Sequence, residues 1–527
     1  MSEAKKIAKD SVYVMGARMI SMASSIVMCI ILARLMGKEL YGLVAWAILL
    51  EGVLFIFADA GLQEATARRI SEYRIKGRDV SGVVSTGLVL KVILGLTITA
   101  MSLIFSSYIA IGLSTHPEAL VSVYACAALL FMDTISTSIY SALYGFREMT
   151  ITSYAEVIQN VSKTFLAVVL VILGFGLQGA LTGLVVGSAV LLIFYVYSFK
   201  KIVLPEIKHF RLDIGELKFI LSYGFYLGLS WAIVKIYMSF DQLYIQAKLS
   251  SADFAYYSIA MNLAMFLYFG SFALRRVLLT TFSGSVSTNN YGMTRDMFRM
   301  SIKYIALVAI PGGAGLAMVS SELISAVYGY EYIGAAAVLP VLAMMGAIKT
   351  CEIPAACIID GGGKAKISVR IAGVVAVLNI ALNLALIPFL GIVGAALASI
   401  VSMGGGSLVY IFFASRSFNV PVPLKDLYKV LLASSAMVLS VYFMRLWLYT
   451  TGIFNLESFT SSITMMILCV AAGIMVYLAS VFILGIINDV DSVKIRKVVG
   501  NSAFSRPVMV ILNVSDRIRV ISPFRYL

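Results

Sequence analysis

Charge is scarce in this chain. Asp, Glu, Lys and Arg make up 13% of 527 residues while 60% are hydrophobic, a ratio that excludes a soluble globular protein of this size. Histidine is scarcer still. The two present, His116 and His209, lie between apolar stretches, so a zinc cluster and a histidine-based triad are both excluded. The five cysteines (Cys29, Cys126, Cys351, Cys357 and Cys469) are odd in number and sit inside apolar segments at no metal-binding spacing. They are expected as free thiols facing core or lipid, with no disulfide framework and no metal. Long hydrophilic connections are missing too, which leaves no room for the aqueous domain of a membrane glycosyltransferase or polymerase. A nucleotide loop is absent: Asp360-Gly361-Gly362-Gly363-Lys364 lacks the G-x-x-x-x-G-K-[ST] pattern and falls at a turn. Neither an enzyme nor a cofactor is therefore expected, and transport, if that is the task, is not driven by ATP.

What the chain does contain is apolar runs close to the roughly 20 residues an α-helix needs to cross hydrocarbon. They read at 11–35, 40–62, 81–112, 119–143, 151–173, 178–199, 219–243, 254–280, 301–321, 334–358, 367–388, 391–415, 427–449 and 460–487. The predicted fold is an all-α polytopic membrane protein of about fourteen transmembrane helices. Continuous apolarity without ten-residue alternation excludes a barrel. Lys5, Lys6 and Lys9 before a long apolar helix resemble a signal peptide, but the helix is too long and lacks a small-x-small cleavage site, so it is kept as the first span. Lys and Arg fall twenty to three in favour of the even-numbered loops, which places those loops and both termini in the cytoplasm of a multi-pass protein of the cell membrane. The same bias accounts for the net charge of +14, and no nucleic-acid partner need be invoked.

The chain also repeats itself. Ala33 to Gly42 (A-R-L-M-G-K-E-L-Y-G) is echoed by Ala247 to Tyr256 (A-K-L-S-S-A-D-F-A-Y) at an offset of 214, and Gly176 to Gly183 by Gly391 to Ala398 at 215. Gly145-Phe146-Arg147 matches Gly362-Gly363-Lys364 at 217. The reading is two repeated six-helix bundles, 1–216 and 217–420, an extra helix pair at 421–487 and a basic cytoplasmic tail at 488–527 suited to anionic membrane lipids. Pro311, Pro340 and Pro354 are expected to kink spans nine and ten, with Pro311 beside Gly312, Gly313 and Gly315 as the hinge candidate.

Ionisable residues inside spans are costly and are the default functional candidates. The basic ones are Arg18, Lys91, Lys163, Lys235, Arg275, Arg276 and Lys349; the acidic ones are Glu51, Asp133, Glu156, Asp241 and Glu352. Spacing pairs Lys349 with Glu352 and Glu156 with Lys163, and salt bridging or snorkelling is expected of Asp241 near an outer end. Seven cations against five acids leave a positive surplus, suited to a phosphate or diphosphate headgroup. Glu51, Asp133 and Glu156 are the candidates for coupling to H+ or Na+, Asp133 first because its own helix offers no basic residue at helical spacing.

Several of these residues carry a resemblance. Ser11 to Gly42 with Arg18, Phe57-Ala58-Asp59-Ala60-Gly61-Leu62 and the Arg68-Arg69 loop resemble the polysaccharide transporter family of O-antigen flippases, and so does the G-L-x-G-A turn at Gly176 that returns as G-I-V-G-A at Gly391. That superfamily also contains the lipid II flippase and the multidrug and toxin exporters. The resemblance implies two six-helix bundles around a V-shaped cavity, alternating access, two added C-terminal helices, and a lipid-linked oligosaccharide whose diphosphate meets cavity cations, Arg18 foremost. A cation-coupled multidrug exporter of the same superfamily and a non-transporting membrane scaffold are the alternatives.

Overall fold

Nearly every described residue of this computed structural model is helical, as backbone groups in hydrocarbon require. The structure describes residues 3–114, 116, 118–269, 272–450 and 456–487, without the side chains of 3–12, 227, 230, 269, 272, 273 and 276. The basic tail read at 488–527 lies outside the described residues, as does the side chain of Arg276.

The chain divides into two units, Met1–Ser258 with Asn383–Ile392, and Ile259–Leu382 with Val393–Leu527. The first holds α1 (Glu3–Asp59), α2 (Leu62–Ile75), α3 (Ser81–Ile104), α4 (Ser106–Leu113), α5 (Ala119–Gly145), α6 (Met149–Leu170), α7 (Gly176–Ile202) and α8 (Ile214–Lys248), and α9 (Ser251–Phe269) begins in it. The second holds α10 (Phe272–Ser287), α11 (Tyr291–Met318), α12 (Ser320–Val327), α13 (Leu339–Cys351) and α14 (Ile353–Gly361). Most of α15 (Ala365–Ser399) belongs to it, with α16 (Gly405–Phe418), α17 (Leu424–Thr450) and α18 (Phe459–Ile483).

Among the described residues nine helical stretches are long and apolar enough to cross a membrane, or ten if the halves of α8, bent by 43°, count as one span. Three of the nine, Tyr13–Asp59, Met149–Glu206 and Ala365–Phe418, run to 47, 58 and 54 residues. A straight helix of that length would reach about 70 to 85 Å, more than twice a hydrocarbon core of about 30 Å. Each is in fact broken: at Gly37 (φ 75°), at Gly174 and Gly176, and at Gly391. Gly176 (φ 50°, ψ −131°) and Gly391 (φ 57°, ψ −139°) adopt nearly the same conformation, which a side chain would strain, at two positions the repeat matched. The third match shifts by one residue. Left-handed backbone falls on Arg147 (φ 64°) and Gly363 (φ 76°), so the turns correspond at 216 rather than 217.

Large apolar side chains face outward along these helices, Ile104, Ile111 and Phe389 among the most exposed, while small hydroxyls such as Ser122, Thr134, Ser136 and Ser188 are buried. Lipid acting as solvent explains both, since it accepts Ile and Phe and lets small residues bring helices close. The molecule is a multi-pass membrane protein. Pro340 stands in the first turn of α13, where a missing N–H costs little, and Pro354 in the first turn of α14, directly after the break that interrupts the stretch Leu339–Gly361; α11 runs through Pro311.

In the first unit α2 crosses α8 at a point of close backbone approach. A side chain on Gly61 (φ 74°) would strike the backbone of Gly224 and Gly228. About two turns further on, Arg69 meets Glu216 through Nε at 2.8 Å and Nη2 at 3.1 Å, Tyr73 Oη donates to the same carboxylate, and the Arg69 guanidinium lies 4.3 Å from the Phe219 ring centroid. The hydrogen bond to Glu216 is the main cause of raised pKa values for both Arg69 and Tyr73. A raised tyrosine pKa adds stability that is complete below its unfolded value near 10 and fades as pH rises through the folded one, so this clasp should be unaffected at neutral pH and loosen only in strong alkali. Glu216→Gln is expected to lower thermal stability by about 1–3 kcal/mol and Tyr73→Phe by less, measured as unfolding of the purified protein.

Candidate functional site

A cavity of about 340 Å³ opens within the first unit, between α1, α2, α5, α6 and α7. Its carboxylates are Glu51 from α1, Asp133 from α5 and Glu156 from α6, the three that sequence reading singled out for coupling. Gln63, Gln159, Thr137, Tyr140 and Tyr195 supply further polar lining. Sequence reading missed these. Gln159 stands three residues after Glu156 and Thr137 four after Asp133, so helical spacing from the two acids was the available signal.

Each carboxylate has a cation beside it. Lys163 Nζ donates to Asp133 Oδ2 at 3.2 Å, and Gln159 Nε2 donates to Oδ1 at 3.2 Å. The pairing of Lys163 with Glu156 expected from spacing is thus replaced by one with Asp133 on the neighbouring helix. Lys235 approaches Glu51 from α8, its Nζ lying 3.5 Å from where a side chain on Gly52 would begin. Arg18 is exposed, makes no ion pair within 4 Å among the described residues, and lies in the field of Glu156.

The helix that carries Arg18 is held by small polar residues. Ser21 Oγ donates to the Glu156 carbonyl at 3.2 Å, Ser24 Oγ to the Asn160 carbonyl at 3.1 Å and Ser25 Oγ to Asn160 Oδ1 at 3.2 Å. Residues 18, 21 and 25 share one face, so these bonds turn Arg18 toward α6.

The remaining candidates are placed elsewhere. Lys91 on α3 is 1% exposed and in ionic contact with Asp59 Oδ1 at 2.6 Å, which removes it from any cavity. The other Asp59 oxygen accepts from the Gly61 N–H at 3.2 Å, so one side chain holds both Lys91 and the α1–α2 turn. Asp241 is buried, with Tyr257 Oη donating to it at 2.5 Å.

In the second unit Lys349 pairs with Glu352 at 3.0 Å as spacing predicted, and Ser407 Oγ also donates to Glu352. Arg275 is 3.7 Å from Asp360. Asp59, inside the span read at 40–62, was not counted among the intramembrane acids.

The fold is shared with known transporters. The lipid II flippase MurJ in an inward closed conformation aligns with a TM-score of 0.69 at 17% identity, covering 93% of this chain and 100% of that one. An inward-facing multidrug resistance transporter of the MATE family aligns with a TM-score of 0.66 at 16% identity, covering 77% and 98%. The chain itself belongs to the family of polysaccharide biosynthesis proteins, whose sequence model matches residues 7–283. Within sequence range is a probable low-salt glycan biosynthesis flippase, Agl15 of Haloferax volcanii, 24% identical over 398 residues that span 74% of this chain and 79% of the relative.

Proposed function

We propose that this protein is a flippase that carries a lipid-linked oligosaccharide, of the polyprenyl diphosphate class, across the cytoplasmic membrane by alternating access, and is not an enzyme. The charged cavity inside the first unit carries the reading: Glu51, Asp133 and Glu156 line it, with Lys163 paired to Asp133, within apolar helices of a polysaccharide biosynthesis family member, where charge is retained only for a task. The relative named as a glycan biosynthesis flippase supports the same substrate class. Arg18 and Lys235 in the first unit and Arg276 and Arg275, the last also 3.7 Å from Asp360, in the second are the cations assigned to the headgroup, whereas Lys91, Lys163 and Lys349 hold carboxylates. If the protein is depleted from its cells, lipid-linked oligosaccharide should accumulate with its sugar still on the side of synthesis and sensitivity to cationic drugs should not change. The opposite pair of results favours a multidrug exporter, the second reading, which the cavity carboxylates keep in play.

The glycine breaks support fourteen crossings arranged as two six-helix repeats and a final pair, with both termini cytoplasmic. Reporter fusions at His116 and at position 454, which is outside the described residues, should read outside, and one after Arg74 inside. An inside signal at 454 would overturn the assignment of the last two crossings.

Coupling is assigned to Asp133, whose neighbours Gln159 and Lys163 could exchange places with a proton or a sodium ion as the cavity changes its access. In proteoliposomes an imposed proton or sodium gradient should change the wild-type flipping rate, and Asp133→Asn should abolish that response while leaving the protein folded. A full response in the mutant, or none in the wild type, would favour downhill flipping drawn by later use of the substrate.

A further inference from the structure

A second cavity, of about 320 Å³, lies at the basic end of the first unit, between the start of α3, the end of α7 and the 204–212 connection. Val84, Leu88, Phe199, Leu204, Ile207 and Phe210 make its wall apolar. One polar group breaks that wall: Ser85 is 1% exposed, and its hydroxyl has no hydrogen-bond partner among the described residues. A buried unpaired hydroxyl costs about 1–3 kcal/mol and invites an acceptor that the described residues do not supply.

The connection is fixed over the pocket by hydrogen bonds to α3. The Lys208 N–H donates to Ser81 Oγ at 2.9 Å and the Asp213 N–H to Thr86 Oγ1 at 3.0 Å. Ser81 in turn donates to Asp79, chiefly through its hydroxyl, and holds that carboxyl below its usual range.

Around the mouth the charge is mostly positive. Lys200, Lys201, Lys208 and Arg211 are exposed, the three lysines with no acid within 4 Å among the described residues. Arg211 is 3.9 Å from Asp79, Asp213 is occupied in capping α8, and Glu206 is the remaining acid of the connection. Phe210, Leu212 and Ile214 are each more than 60% exposed beside these cations. Apolar side chains and lysines side by side at a helix end match the boundary between headgroups and hydrocarbon.

We propose that this pocket binds one anionic membrane phospholipid, with a hydrocarbon chain against Leu88, Phe199 and Ile207, an oxygen of the lipid accepting from the Ser85 hydroxyl, and the phosphate among Lys200, Lys201, Lys208 and Arg211. A second copy of the chain or its own basic tail would bring positive charge to a positive mouth, which disfavours both. The inference rests on the membrane setting alone and is independent of the substrate flipped.

Native mass spectrometry of the full chain in detergent, titrated with phosphatidylglycerol or with phosphatidylcholine of the same chains, tests it. At least one phosphatidylglycerol should stay bound under activation that strips phosphatidylcholine. Lys200→Gln, Lys201→Gln and Lys208→Gln together should weaken phosphatidylglycerol binding about tenfold or more, with phosphatidylcholine unchanged. Ser85→Phe, which fills the pocket, should remove one bound phosphatidylglycerol, and Ser85→Ala, which removes only the hydroxyl, should weaken it while leaving the melting temperature near wild type. Equal retention of both lipids overturns the proposal. So does phosphatidylglycerol binding that survives both the lysine variant and Ser85→Ala, or that a peptide of residues 488–527 displaces.

Discussion

Asp59→Ala is expected to destabilise the protein by about 3–5 kcal/mol, enough to empty the membrane of folded chain. The mutation strands the Lys91 ammonium in a site 1% exposed, and it also frees the Gly61 N–H at a turn pressed against Gly224 and Gly228. The desolvation of an unpartnered ammonium outweighs the loss of the turn's single hydrogen bond, which contributes about 0.5–1.5 kcal/mol. Removing both charges together should therefore recover most of the loss. Asp59→Ala combined with Lys91→Met should unfold within a few degrees of wild type, whereas either single mutant should be far less stable in detergent melts. If the double mutant is no better than Asp59→Ala, the charge pair is not what that helix junction depends on.

Flipping is where the second large effect lies. Arg18→Ala should slow it roughly tenfold or more with little change in abundance, because a charge-assisted contact to a phosphate in a low-dielectric setting contributes about 1.5–3 kcal/mol. Abundance should hold since Arg18 is exposed and the α1–α6 contact is made by Ser21, Ser24 and Ser25 instead. Lys163→Ala should behave differently. It leaves Asp133 with Gln159 alone, and so should disturb the ion response before the maximal rate. Equal losses in the two mutants would mean that both cations serve the carboxylates and neither meets the substrate.

Much of this was legible before the fold was seen, for reasons that particular residues make plain. Gly176 and Gly391 stood out because a positive φ recurs in both copies, and a glycine in a matched position marks such a turn directly. Glu51, Asp133 and Glu156 stood out because charge in an apolar run is rare. Their meeting in one cavity was not legible, since it depends on how α1, α5 and α6 pack. Partner choice failed for the same reason. Helical spacing sees neighbours three or four residues away, so it found Lys349 with Glu352 but offered Lys163 the wrong acid, and it overlooked Asp59 and Asp360 as partners for Lys91 and Arg275. Pro340 was misread because composition does not tell a first turn from a helix interior.

The central claim is movement of a lipid-linked oligosaccharide, and it is tested most directly with purified protein in liposomes containing a polyprenyl diphosphate oligosaccharide. A sugar-cleaving enzyme added outside reads how much substrate has its sugar exposed. With the protein present, substrate sealed in the inner leaflet should become cleavable over time; protein-free liposomes should retain that protected fraction, and a cationic dye should not be moved. If the protected fraction persists with the folded protein present, or if the dye is moved and the oligosaccharide is not, the protein is not the flippase described here.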